Sequence, residues 1–432
     1  MLAAMPATPP TSSDLGEPLI RDRGDACPGA LRLHRADDGF LARLRLPGGR
    51  LTEDQVRVLA SAAEELGDGG IGITSRGNAE LRGLGDGCGG ELAARLRQGG
   101  LLPSETHERV RNLVASPAAG LDGLGHGDVQ LWVRELDGLL CGTPRAAALS
   151  GRFLFVLDDG RGDVAGLGGD VTLIAAEGGS ALLRCAGQTF RVPGADAPRA
   201  ALAAALAFLD AADSAGNGAW RVRELPEGYA PDLTAALAQA GTAAEPAPEP
   251  AQTGTAAEPA PEPVPEPDLG PDPVRLPRAA PLAPGPLGAG ALHVLAPLGR
   301  LTAAQARALL PAAEVRFTPW RGVVVVAPAA GLADLAAHGL VTTPDAPAVG
   351  VTACTGRPGC AKSLDDVRAE AVRAPAGPLP VHFSGCERRC GHPHGAWVDV
   401  VAAGDGAYLV DGAPTPRTSL IDAVSTARTT TR

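Results

Sequence analysis

The chain has 432 residues and a net charge of −11, long enough for two or more separate cores and too acidic for nucleic acid or an anionic membrane surface to be its main partner. Aromatic residues make up only 3% of it, so those cores must be built largely from Ala, Val and Leu. No apolar run reaches the length of a membrane span, and residues 1–25 lack the basic and apolar regions of a signal peptide and read as a disordered Ala/Pro/Ser tail.

Taken in chain order, residues 26–105 open with a candidate strand at 29–33, followed by a helix with Thr52 at the N-cap position. A second strand is predicted from Ile71 to Leu84. Its pattern sets Ile71, Ile73, Ala79 and Leu81 on one face and Thr74, Arg76, Asn78, Glu80 and Arg82 on the other. The run 85–90 matches G-x-G-x-x-G, but it reads as the loop leaving this unit rather than as a dinucleotide site. Residues 106–237 form a further region. A 13-residue unit then begins at Ala238 and repeats at once from Ala251, the copies differing only at Ala240 and Thr253. Proline and glutamate cannot build a core, so 238–285 read as a stiff, solvated linker.

Beyond the linker the first unit returns. Gly49, Arg50, Leu51, Thr52 and Gln55 recur as Gly299, Arg300, Leu301, Thr302 and Gln305, with strands expected at 290–294 and from Glu314 to Val326. Residues 286–345 therefore repeat the strand–helix–strand unit. Thr318 and Arg321 echo Thr74 and Arg76, and paired arginines on sheet faces suit a polyanion, because guanidinium forks bind carboxylates bidentately. The duplication extends further, with 110–117 standing where 351–354 stands and 149–153 where 379–383 stands.

Residues 346–425 carry the most informative pattern. Cys354, Cys360, Cys386 and Cys390 are spaced C-x5-C-x25-C-x3-C, with a helix expected at 361–373 (Leu364, Val367 and Ala371 on its apolar stripe) and a strand at 379–383. Two pairs of thiolates suit a [4Fe-4S] cluster. Four-thiolate zinc is the alternative, although zinc folds usually use C-x2-C or C-x4-C. His392 and His394 follow directly, either as exposed loop residues or as metal or substrate contacts. Cys27, Cys88, Cys141 and Cys185 are scattered, form no disulfide framework and fit a reducing cytoplasm.

Together these residues resemble the nitrite/sulfite reductase family over residues 25–425, the linker excepted, through C-x5-C…C-x3-C, Thr74-x-Arg76 and Arg111-Asn112. The resemblance implies an α+β, internally duplicated fold: two ferredoxin-like half-domains plus two α/β domains, the second carrying a [4Fe-4S] cluster. In the family the cluster couples to sirohaem through the last cysteine, here Cys390. Arginines matching Arg76 and Arg111, and a Lys-x-Lys pair, hold a small anion. This chain departs from that pattern, because the lysine-pair stretch reads Arg152-Phe153-Leu154 and Lys362 is its only lysine.

A branch of the family that works on a metal-free tetrapyrrole is similar at 25–29, 318–322 and 354–360. Its resemblance implies oxygen-dependent hydroxylation and lactone formation on precorrin-3A. NADH would be the ultimate electron source, through a separate reductase, since no NADH site stands out in the chain. It also implies a mononuclear non-haem iron, for which His382, His392, His394 and Cys27 are the candidate ligands, the histidines doubling as candidate acid–base groups. Arg76, Arg82, Arg111, Arg152 and Arg321 are the candidates for the substrate's carboxylates. A sirohaem-dependent sulfite or nitrite reductase is the alternative, and a non-catalytic metal-binding scaffold the third.

Overall fold

The computed structural model describes residues 28–248, 281–393 and 395–429; Cys27, His394 and most of the expected linker lie outside them. The first unit runs β1 (His34–Ala36), β2 (Gly39–Leu44), β3 (Arg50–Leu51), α1 (Glu53–Leu66), β4 (Gly70–Ile73), β5 (Ala79–Leu84) and α2 (Gly89–Gln98). The next comprises β6 (Leu113–Ala115), α3 (Val129–Gly142), β7 (Phe155–Asp158), β8 (Val171–Ala176), β9 (Ser180–Cys185), β10 (Gln188–Pro193), α4 (Ala197–Ala215), α5 (Leu233–Gln239) and β11 (Glu245–Pro246). The third comprises β12 (Gly285–Leu287), β13 (Ala291–Leu295), β14 (Arg300–Thr302), α6 (Ala303–Ala308), β15 (Glu314–Phe317), β16 (Gly322–Val326) and α7 (Leu332–Ala337). The last comprises β17 (Val351–Ala353), α8 (Val367–Ala371), β18 (Val381–Ser384), β19 (Val398–Gly404), β20 (Ala407–Val410), β21 (Ala413–Pro416) and α9 (Leu420–Thr429).

The first and third units are joined by exchanged strands. One sheet has the order β1-β2-β5-β4-β14 and the other β12-β13-β16-β15-β3, so each unit lends its short strand to the other. Leu301 pairs with Ile71, and Leu51 with Val315. The exchange is reinforced by ion pairs of Arg50 with Glu314 and Arg300 with Asp68. A single apolar core, including Leu59, Ile71, Leu81, Leu301, Val315 and Val323, spans both units. Matching capping boxes start α1 and α6: Gln55 N–H donates to Thr52 Oγ1 (3.3 Å) and Gln305 N–H to Thr302 Oγ1 (3.1 Å). In each, the glutamine Oε1 accepts from the threonine N–H.

Three local expectations change here. The strand expected at 29–33 does not form, because the Ala30 and Leu31 amides donate to the Glu108 carboxylate at 2.7 and 3.1 Å and are lost to a ladder. The single strand from Ile71 to Leu84 is a hairpin. Thr74 Oγ1 accepts from Arg76 N–H (3.3 Å) and Asn78 N–H (3.1 Å), and Gly77 takes a φ of 67° to close the turn. The third unit repeats that hairpin, with Gly322 N–H on Thr318 Oγ1 at 2.9 Å. The φ of 64° falls there on Arg321, so Arg321 is the counterpart of Gly77, and Trp320 that of Arg76.

The second and fourth units share one topology. Parallel strands β6-β7-β8 continue into antiparallel β9, β10 and β11, just as β17-β18-β19 continue into β20 and β21. Register pairs Leu113 with Phe155 and Val351 with Val381. The counterpart of Val381 is therefore Phe155 rather than Gly151, and Ser116 occupies the position of Cys354. The helix expected at 361–373 contracts to α8: Leu364 N–H is taken by Gly385 O at 2.8 Å, and Asp366 caps only from Ala369 N–H at 3.2 Å. Leu364 is exposed, whereas Val367 and Ala371 are buried as expected. The repeat also begins inside the fold, since α5 ends at Gln239 and β11 pairs with β10 along the sheet edge, where Pro246 has no ladder amide to lose.

Candidate functional site

The four cysteines converge because β17 and β18 are adjacent and parallel, so the loops leaving their C-terminal ends start side by side. Cys354 follows β17 directly, with Cys360 on the same loop; Cys386 and Cys390 lie on the loop after β18. The Gly385 amide donates to Cys354 Sγ at 3.2 Å. A Cβ at Gly385 would lie 1.8 Å from Ser363 Oγ, so the loop can take this course only with glycine there. Cys354, Cys360 and Cys386 are half-buried, and Cys390 is exposed. Burial, followed by repulsion from the Cys386 and Cys354 thiolates, pushes the Cys390 thiol up. No three of these sulfurs gather within 4.8 Å of one another. A tetrahedral zinc site with bonds of about 2.3 Å needs sulfurs ~3.8 Å apart, closer than any three of these lie together here.

One face of the β17–β19 sheet carries Val351, Ala353, Val381, Phe383, Val398 and Val400 into an apolar core. By alternation, Thr352, Cys354, His382, Ser384 and Asp399 line the other face. His382 Nδ1 lies 2.8 Å from Thr352 Oγ1. Burial, and then the charges of Arg321 and His392, push the imidazole down to about 3, so it is neutral. Trp397 stands edge-on to His382 at 5.9 Å and stacks on His392 at 5.3 Å. The two histidines thus flank an indole, and neither joins two further ligand groups among the described residues.

The five candidate arginines separate into three settings. Arg82 binds Asp38 through two hydrogen bonds of 2.9 Å and donates to Gly359 O at 3.0 Å. Arg321 donates to Gly391 O at 3.0 Å. Both therefore reach the cysteine loops. Arg111 is buried and held bidentately by Asp137 at 2.6 and 2.7 Å. Arg76 and Arg152 line a cavity of about 510 Å³ together with Arg43, Arg45, Arg221, Arg223 and Glu224. Arg43 is paired with Glu80 and Arg221 with Asp170, while Arg45 braces the wall through Arg109 O, Asn112 Oδ1 and Gly151 O. Arg152 lies 4.8 Å over the Trp220 ring. Neither Arg152 nor Arg223 has a carboxylate partner among the described residues. The four lining arginines missed from the sequence fall in two R-x-R runs, 43–45 and 221–223, a signal that alternation on a strand or extended loop could have supplied.

Comparison with known proteins follows the same lines. Residues 32–98 match the nitrite/sulfite reductase ferredoxin-like half domain. The whole structure aligns with the Mycobacterium tuberculosis NirA protein at a TM-score of 0.60 and 18% identity, over 89% of this chain and 79% of that one. The chain has the nitrite/sulfite reductase fold. A precorrin-3B synthase of Sinorhizobium sp. is 28% identical over 430 residues, 93% of this chain and 85% of its own length. A ferredoxin–nitrite reductase of Leptolyngbya laminosa is 35% identical over 120 residues, which is 26% of this chain and only 24% of that protein.

In this nitrite/sulfite reductase fold the counterpart of the cysteine loops is an acidic one. Ser116 Oγ accepts from Asp159 N–H at 3.0 Å, as Cys354 Sγ accepts from Gly385 N–H. The Asp158 carboxylate accepts from the amides of Gly160, Gly162, Val164 and Ala165. Arg161 bridges Asp122 and Asp159. Ser116 O–H donates to Asp163 at 2.6 Å, and burial next to Asp158 pushes Asp163 up to about 7. Because the folded-state value is raised, the stability contributed by protonated Asp163 is complete below the unfolded value near ~3.9 and is lost as pH rises through about 7. Thermal unfolding should therefore show the wild-type midpoint falling between about pH 4 and 7 more steeply than that of Asp163→Asn. Parallel curves would remove Asp163 as the cause. No helix among the described residues is long and apolar enough to cross a membrane.

Proposed function

We propose that the protein is a precorrin-3B synthase, carrying out oxygen-dependent hydroxylation and lactone formation on precorrin-3A. The cavity lined by Arg76, Arg152 and Arg223 is the observation that carries this reading, since it gathers arginines in a chain of net charge −11 and two of them, Arg152 and Arg223, have no carboxylate partner among the described residues. A carboxylate-rich tetrapyrrole supplies the matching anions. Arg152 is held for that contact by Trp220, and Arg45 fixes the Gly151 backbone beside it. The similarity to a precorrin-3B synthase along 93% of the chain supports the same substrate class.

Cys354, Cys360, Cys386 and Cys390 would hold a [4Fe-4S] cluster, which would supply electrons one at a time, drawn ultimately from NADH through a separate reductase. A metal-free substrate calls for a mononuclear iron beside it, with ligands to be sought among His382, His392, His394 and Cys27. His382 is suited to stay unprotonated there, with Thr352 Oγ1 fixing its ring. The nitrite reductase matches favour a second reading, a sirohaem-dependent reductase of nitrite or sulfite. Against it stands Leu154, which takes the second position of the lysine pair and is buried among Val114, Val156 and Val164, where no cation can meet an anion.

Anaerobic purification with iron, sulfide and zinc analysis and a visible spectrum separates the readings. Iron in excess of the cluster and no chlorin bands support the synthase; bound sirohaem supports the reductase; zinc without sulfide supports neither. In the synthase, Arg152→Ala and Arg223→Ala should each weaken precorrin-3A binding by about 10- to 100-fold, the value of a charged hydrogen bond of roughly 1.5–3 kcal/mol, with iron and sulfide content unchanged. A double variant that binds as tightly as the wild type would remove this cavity from the substrate site.

A further inference from the structure

We infer that each ferredoxin-like unit clamps one cysteine loop through one arginine, Arg82 on the Cys360 loop and Arg321 on the Cys390 loop, and that only the second adds positive charge beside the cluster. The inference rests on the cluster reading above. Arg82, on β5, holds Asp38 with two hydrogen bonds and reaches Gly359 O at 3.0 Å, while Asp37 accepts from Ala361 N–H at 2.6 Å. The peptides on both sides of Cys360 are thus pinned by the β1–β2 turn and its arginine. Contact is close: a Cβ on Gly359 would lie 2.7 Å from Asp38 Oδ2.

The second clamp differs in chemistry. Arg321 leaves its turn at a φ of 64° and donates to Gly391 O, next to Cys390, at 3.0 Å. A Cβ on Gly391 would lie 2.6 Å from that guanidinium. Arg321 makes no ion pair among the described residues, whereas Arg82 is neutralised by Asp38. Arg368 also lies near Cys354 and donates to Leu298 O at 3.3 Å, with the Asp366 carboxylate acting on it as well. The two clamps do not occupy equivalent positions of the duplicated units, since the counterpart of Arg321 is Gly77. A pseudo-symmetric pair of units holding one asymmetric cluster domain must place its contacts unequally.

A cluster with four thiolates is anionic and becomes more so on reduction, so an unpaired guanidinium nearby raises its potential, and a neutralised one has little effect. The test uses the full chain, loaded anaerobically, as wild type, as Arg321→Gln, as Arg321→Lys and as the double variant Arg82→Gln/Asp38→Asn. Midpoint potential is read by titration with electron paramagnetic resonance, iron release by a chelator, and fold by circular dichroism. Arg321→Gln should lower the potential, and Arg321→Lys should restore it. The double variant Arg82→Gln/Asp38→Asn removes a neutral pair, so it should leave the potential in place and speed iron release about tenfold, the loss of one charged hydrogen bond to the loop. Folded variants with wild-type potential and release rate overturn the clamps while leaving the cluster standing. A wild type without iron and sulfide overturns both.

Discussion

Replacing Cys386 with alanine is expected to give a folded protein without acid-labile sulfide and without the broad visible absorption of a cluster. Three remaining thiolates leave one iron of the cube without its protein ligand. The loop itself should survive, because Gly385 still donates its amide to Cys354 Sγ and Leu364 N–H still reaches Gly385 O. The core of the domain, with Val351, Phe383, Val400 and Tyr408, is apolar, and Cys386 is not among the residues packed against it. Cys185→Ala is the matched control, because Cys185 is buried in the core of the second unit, where burial pushes its thiol up to about 12. Metal analysis decides: Cys386→Ala with undiminished iron and sulfide would take that residue out of the ligand set.

The second large effect is on stability. Asp137→Ala should destabilise the protein by about 3 kcal/mol, because it strands a guanidinium that is almost wholly buried. Arg111 is 6% exposed, and its fork is filled by both Asp137 oxygens, with Leu101 O and the Cys141 thiol as further contacts. The partner is less enclosed, at 21% side-chain exposure, which sets the estimate at the low end for a broken buried pair. Arg111→Met should cost less, since the freed carboxylate can hydrate. Urea unfolding of both variants tests the order, and equal losses would contradict this account of the pair. Arg111, whose place in the chain matches a family anion-binding residue, is held by Asp137 in this structure.

Particular residues show what the sequence could and could not disclose. The duplication was legible from Thr52 and Thr302 with their glutamines, because a capping box is a short-range device that leaves a short-range signature. The cysteine spacing was legible for the same reason. The strand exchange was not, since β3 and β14 have the same local pattern whichever sheet they join. Nor could the fate of an arginine be read from its strand face alone. Arg82 and Arg321 sit where a substrate clamp was expected, and their donors go to the carbonyls of Gly359 and Gly391, contacts set by residues far along the chain. The hairpin at Thr74 was hidden by a pattern that alternates correctly on both sides of a turn.

The exchanged strands also bear on how such a chain can change in length. The joint between its halves is made of sheet ladders, ion pairs and a shared core, so the connecting peptide has only to reach from one side to the other. A 13-residue unit is copied in tandem across that junction, its first copy beginning in α5 and its second falling in the peptide between the halves. An insertion within β3 or β14 would shift two sheets at once. Tolerance of insertion in this architecture is therefore sharply local, generous in the peptide between the halves and absent in the short strands that bind them.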